Sequence, residues 1–122
     1  MPDPRHELGR RAEDAAAVWL LACGWIIVAR RWRCPEGELD LVAVDPDGVL
    51  VAVEVKLRRT TRSGDPLESI DRQRLRRLRA ALGRFRATSC WQSGGLRIDL
   101  IAVRPAPDGL WRLARHPAID GW

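Results

Sequence analysis

The chain of 122 residues has no apolar run long enough for a membrane span. The longest apolar stretch in its first helical segment, Ala15 to Cys23, falls far short of the roughly 20 residues required. The N-terminus also lacks a secretory-signal layout, so a cytoplasmic protein without membrane contact is expected. Cysteine is scarce. Cys23, Cys34 and Cys90 are odd in number, widely spaced and form no CxxC pair, which speaks against a disulfide framework or a zinc centre and leaves them as reduced, small hydrophobes. Internal repeats, low-complexity tracts and base-reading motifs are absent. Scarcest among the charged residues is lysine: twenty arginines accompany a single Lys56. Arginine serves wherever positive charge suffices, whereas a compact ammonium with a tunable pKa is chemically distinct, so Lys56 is a place to look for chemistry.

What is present suits one globular domain over residues 1–122, because 46% hydrophobic and 30% charged residues can build one core and leave no room for a second. Charge is unevenly spread. Residues 56–86 hold eleven basic and three acidic side chains, a local +8 against a total of +5. Such two-sidedness is expected of a molecule that docks on a polyanion, although an arginine-rich helix also serves as a plain solvated surface.

Asp3-Pro4 reads as a helix cap with proline at the first helical position. Leu8, Ala12, Ala15, Ala16, Trp19, Leu20 and Cys23 follow at helical spacing, and Gly24 ends the helix. Strands are expected at Trp25–Arg33, Glu38–Val44 and Val49–Arg58, with turns at Cys34–Gly37 and Asp45–Gly48. A polar loop, Arg59–Pro66, precedes a second helix capped by Asp71, with Leu75, Leu78, Leu82 and Phe85 on its apolar side. Leu96–Val103 and Trp111–Arg115 supply two more strands. This order predicts an α/β domain with a mixed sheet flanked by helices.

Two strands carry an anomaly. Alternation puts Leu50, Ala52, Glu54, Lys56 and Arg58 on one face, so a carboxylate and an ammonium interrupt an apolar strand, while Glu38 and Asp40 do the same in the strand before it. The turn Asp45-Pro46-Asp47-Gly48, read as a three-residue loop, pairs Asp45 with Val49 and therefore sets Asp40 opposite Glu54. Facing carboxylates repel unless a proton or cation neutralises them, and this pair suits a hard ion such as Mg²⁺ or Mn²⁺. Lys56 would then orient or deprotonate an attacking water, or offset charge developing on a phosphate. The alternative is a structural cluster in which Lys56 neutralises both acids.

Gly37-Glu38-Leu39-Asp40-Leu41 followed by Val53-Glu54-Val55-Lys56 resembles the PD-(D/E)xK nuclease superfamily, and within it the small bacterial YraN-like branch related to archaeal Holliday junction resolvases. The likeness includes Gly9-Arg10-Arg11-Ala12-Glu13-Asp14-Ala15-Ala16, Gly24-Trp25, Arg30-Arg31-Trp32-Arg33 and Arg97-Ile98-Asp99. It implies a restriction-endonuclease-like fold in which Asp40, Glu54 and the Val55 carbonyl hold the ion and Lys56 completes the site. Glu13 matches the first-helix acid of the resolvase-like branch, yet its place near the edge of the apolar stripe also suits a surface residue. Where the family carries a lysine near the start of the second helix, this chain has Arg74. A phosphate contact survives that change; a role needing a neutral amine does not.

The expected function is therefore Mg²⁺- or Mn²⁺-dependent hydrolysis of DNA phosphodiesters, with branched DNA a candidate substrate. Arg58, Arg59, Arg62, Arg72, Arg74, Arg76 and Arg77 would hold the backbone. Junction cleavage would favour a two-fold homodimer. The competing expectation is a non-catalytic DNA-binding module that keeps the fold and works with a repair or recombination partner. Trp91 suits either core packing or base stacking, and no role is assigned to His6 or His116.

Overall fold

The computed structural model describes residues 3–58, 67, 70–89 and 94–120. Helix α1 spans Pro4–Ala22, and the Asp3 carboxylate accepts the Arg5 amide at 2.9 Å, one of the donors that a helix start leaves unpaired. Its buried residues are Ala12, Ala16, Ala17 and Leu20, three of them small enough to let the helix lie close against a sheet. The chain leaves this helix through Gly24, whose φ of +88° is open to glycine at little steric cost.

Five strands follow: β1 (Ile26–Cys34), β2 (Gly37–Val44), β3 (Leu50–Leu57), β4 (Leu96–Pro105) and β5 (Trp111–His116). Their order across the sheet is their order in the chain. β1, β2 and β3 form an antiparallel meander, β4 runs parallel to β3, and β5 returns antiparallel to β4. A parallel neighbour demands a crossover, and helix α2 (Arg72–Ser89) lies in the connection that provides it. As expected, Asp71 caps this helix: its carboxylate accepts the Arg74 amide at 2.8 Å.

Each helix covers one sheet face. Leu41, Ala43, Val51, Val53, Ile101 and Val103 pack against α1, while Val42, Val44, Leu50, Ala52 and Ile98 pack against Leu78, Ala81, Leu82 and Phe85 of α2. Burial on both faces explains why β3 reads as an uninterrupted apolar run rather than an alternating one. This is the expected mixed sheet flanked by helices, consistent with a restriction-endonuclease-like fold. Among the described residues no helix is long and apolar enough to cross a membrane. Cys23 and Cys34 are free thiols; Cys90 and Trp91 lie outside the described residues.

The β2–β3 turn sets the register that matters. Asp45 donates its amide to the Val49 carbonyl at 3.0 Å, Gly48 sits at φ +87°, and the Asp45 carboxylate accepts the amides of Asp47 and Val49 at 2.9 Å each. From there Val44 pairs with Leu50 and Leu41 with Val53, where the paired register ends, one step short of Asp40 and Glu54.

Candidate active site

At Asp40 the regular ladder stops. The last β2–β3 pair is Leu41 with Val53, and beyond it the Val55 amide donates to the Asp40 Oδ2 at 2.9 Å instead of to a backbone carbonyl. The side-chain alternation of β2 breaks at the same place, for Leu41 packs under α1 and Leu39 under α2. The β1–β2 register is also interrupted here: between the pairs Arg30–Leu41 and Trp32–Leu39, Arg31 and Asp40 are unmatched, and Arg31 is held at φ +48°, a region an arginine rarely occupies. The Asp40 carboxylate, held by the Val55 amide, thus sits beside Glu54 where the β2–β3 ladder ends.

The two carboxyls are within hydrogen-bonding reach of each other. Burial, the neighbouring Glu54 charge and the more distant Glu13 charge push the Asp40 carboxyl up to about 8, against an opposing pull from the Val55 amide. Glu54 is buried to 7% exposure, and its Oε1 accepts a hydrogen bond from Arg74 Nη2. Arg74 itself reaches the site from the first turn of α2 with its side chain half exposed.

The other predicted residues separate into three groups. Glu13, on α1, accepts from Arg31 Nε at 2.9 Å and lies close enough to Asp40 to raise its pKa, so it belongs to the site's surroundings. Lys56 is half-buried, two residues beyond Glu54 on β3, and its side chain makes no hydrogen bond or ion pair with the described residues; the counter-charge to the acids is Arg74. Glu38, the acid two before Asp40, is turned away to Arg33 at 2.9 Å.

Of the basic residues, Arg72, Arg76 and Arg77 are exposed on α2, and Arg58 is half-buried at the end of β3, where its amide meets the Val103 carbonyl at 2.7 Å. Arg59 and Arg62 lie outside the described residues. Two further helix arginines serve the fold. Arg79 pairs with the buried Asp120 at 3.0 Å, and Arg84 grips Glu36 at the β1–β2 turn, holding that carboxyl down at about 2.

Among the described residues no group of three or more His, Cys, Asp and Glu side chains is arranged to hold a metal ion. The donor set is therefore smaller: two carboxylates of opposed strands, crowded enough that one retains a proton, with the Val55 carbonyl next along the chain. Oxygen-only donors with surplus negative charge fit a hard divalent cation.

A second charged cluster was not foreseen. Asp99, fully buried on β4, accepts from Arg97 Nε at 2.8 Å, Arg115 Nε at 3.0 Å and the Ala118 amide at 2.9 Å, while Arg97 also bonds Asp45 at 2.8 Å. Both guanidiniums stack near Trp25, at 5.7 and 4.9 Å from its ring centre. The sequence held one signal for it, since Arg97 and Asp99 are two apart on a strand and so share a face.

A mixed sheet between two helices, with neighbouring acids where two strands part, defines the class: an α/β protein with a close carboxylate pair, Glu54 buried and Asp40 half-buried. Its residues 12–103 match the model described as "Uncharacterised protein family UPF0102". The chain belongs to that family. It is 42% identical over 99 residues to a UPF0102 protein of Leifsonia xyli subsp. xyli, covering 81% of this chain and 83% of the relative. A UPF0102 protein of Clavibacter michiganensis subsp. michiganensis is 39% identical over 94% of this chain and 92% of its own length. One of Symbiobacterium thermophilum is 42% identical over 88% and 90%.

Proposed function

We propose that this protein is a divalent-metal-dependent endonuclease of the PD-(D/E)xK type that hydrolyses DNA phosphodiesters. The observation that carries the reading is the Asp40–Glu54 pair: a half-buried and a buried acid brought together where two strands part, with a lysine two residues along that has no ion-pair partner among the described residues. Asp40 and Glu54, with the Val55 carbonyl, would hold Mg²⁺ or Mn²⁺, which when bound supplies Lewis acidity toward the phosphate and lowers the pKa of water. Asp40 is fixed for this by the Val55 amide. Lys56, without a carboxylate partner among the described residues, is available to orient the attacking water or to meet charge developing on phosphate. Arg72, Arg76 and Arg77, exposed on α2, suit contacts to the backbone.

The test is cleavage of duplex, flap, junction and single-stranded DNA with each ion. The parent is expected to cut at least one substrate, and Asp40→Ala to fall to background while retaining its fold. A second reading is favoured by the Arg74–Glu54 pair, which neutralises one acid without any ion. In that case the protein is a non-catalytic DNA-binding module, and it would show salt-sensitive DNA affinity with no cleavage by any ion.

A further inference from the structure

Arg74 is engaged where the proposed reaction needs an open ligand. Its Nη2 is bonded to the Glu54 Oε1, so the guanidinium stands against one of the two oxygen donors assigned to the ion. A cation at that position competes with a divalent ion both by occupying the carboxylate and by charge repulsion. Yet the contact is not sealed. Glu54's side chain is 8% exposed and Arg74's 50%, so the guanidinium's outer donors face solvent. Arg74 is also the third residue of a helix whose neighbours Arg72 and Arg76 are exposed. A phosphate lying along that turn would reach the same guanidinium that Glu54 holds, and a guanidinium fork binds phosphate at least as well as carboxylate.

We infer that Arg74 is a positioning residue shared between Glu54 and a backbone phosphate of nucleic acid: without substrate it blocks the carboxylate, and when a phosphate takes the guanidinium, Glu54 is released to the ion. The inference rests on the metal-site reading proposed above. Its consequence is positive linkage, in which nucleic acid tightens ion binding and the ion tightens nucleic-acid binding by the same factor. An ion would then be held well only where a phosphate is already in place, which guards against futile occupancy of the site.

Calorimetric titration of the full chain with Mn²⁺, alone and with a hydrolysis-resistant phosphorothioate duplex, tests this without reading activity. Arg74→Gln should bind Mn²⁺ about tenfold more tightly than the parent in the absence of DNA, and should lose most of the further tightening that the duplex gives the parent. Arg74→Lys, which keeps the charge but not the fork, should fall between them, and its fold is a safeguard should the glutamine variant prove unstable. Equal or weaker Mn²⁺ binding by both variants overturns the inference while leaving the metal site standing. If Asp40→Ala leaves Mn²⁺ binding unchanged, or the parent binds none with or without duplex, the metal-site reading fails and this inference falls with it.

Discussion

Among the described residues, the acidic clusters around Asp99 and Asp40 are built in opposite ways. Around Asp99 every carboxylate oxygen is answered: two arginines and a backbone amide converge on Asp99, and Arg97 extends the network to Asp45. Around Asp40 the balance runs the other way: the Glu54 and Glu13 charges both raise its pKa, and among the described residues Arg74 alone pairs with Glu54. Saturated networks of the first kind hold a fold together, because each group lost leaves another buried and unpaired. The second kind costs stability and persists where something else is meant to complete it. The contrast separates a structural cluster from a candidate active site without reference to any relative.

The comparison breaks most visibly at Asp99. Asp99→Ala should destabilise the fold by about 3–5 kcal/mol, the usual cost of removing one partner from a buried charged network, since Arg97 and Arg115 lose their shared acceptor. Denaturant unfolding measures this, and a loss below about 1 kcal/mol would show that the network is not what fastens β4 to the C-terminal segment.

A smaller effect is expected at Lys56, which separates charge from chemistry. Lys56→Arg should fold as the parent does and keep its DNA affinity, while cleavage falls on the order of 10²-fold because the larger planar group misplaces the water. Equal rates under saturating Mg²⁺ would reduce the lysine to a counter-charge.

A third effect is on pH dependence, and its sign differs between the clusters. Asp40's pKa is raised from 3.8 to about 8, so between those values the folded state holds a proton that the unfolded state has lost, and stability declines as pH rises through that window. Asp45 behaves oppositely. Burial alone would raise it, but the Val49 amide and Arg97 outweigh that and lower it, so its contribution is full above 3.8 and is lost as pH falls further. Thermal melts without divalent ions should therefore drop from about pH 5 to pH 8 in the parent, and this slope should flatten in Asp40→Asn. A parent curve already flat across that range would remove the case for an under-neutralised pair.

Much of this was legible in the chain itself. The caps at Asp3 and Asp71, both helices and the mixed sheet follow from local chemistry and periodicity, and counting back through the turn at Asp45–Gly48 gives the β2–β3 register as far as Leu41 and Val53, though the ladder ends before the Asp40–Glu54 pairing it predicts. Other features lay beyond that reading. Alternation assumes a regular strand, whereas β2 switches faces between Leu39 and Leu41, where the β1 register is broken at the left-handed Arg31. Arg74 meets Glu54 only because the crossover returns α2 over the sheet, a placement that sequence spacing cannot set. The Asp99 network gathers Trp25, Asp45, Arg97 and Arg115 from distant parts of the chain, and only its Arg97–Asp99 pair was close enough in sequence to be read.

The hydrogen bond from the Val55 amide to Asp40 makes one backbone proton a native reporter. Most sheet amides answer to a carbonyl whose charge never changes, but this one answers to a carboxyl that gains and loses a proton and, on the reading proposed above, would take an ion. In a ¹⁵N-labelled sample its resonance position and its solvent-exchange rate would track the state of Asp40 directly. The site can thus be followed spectroscopically, residue by residue and in an unmodified protein, before any substrate is known.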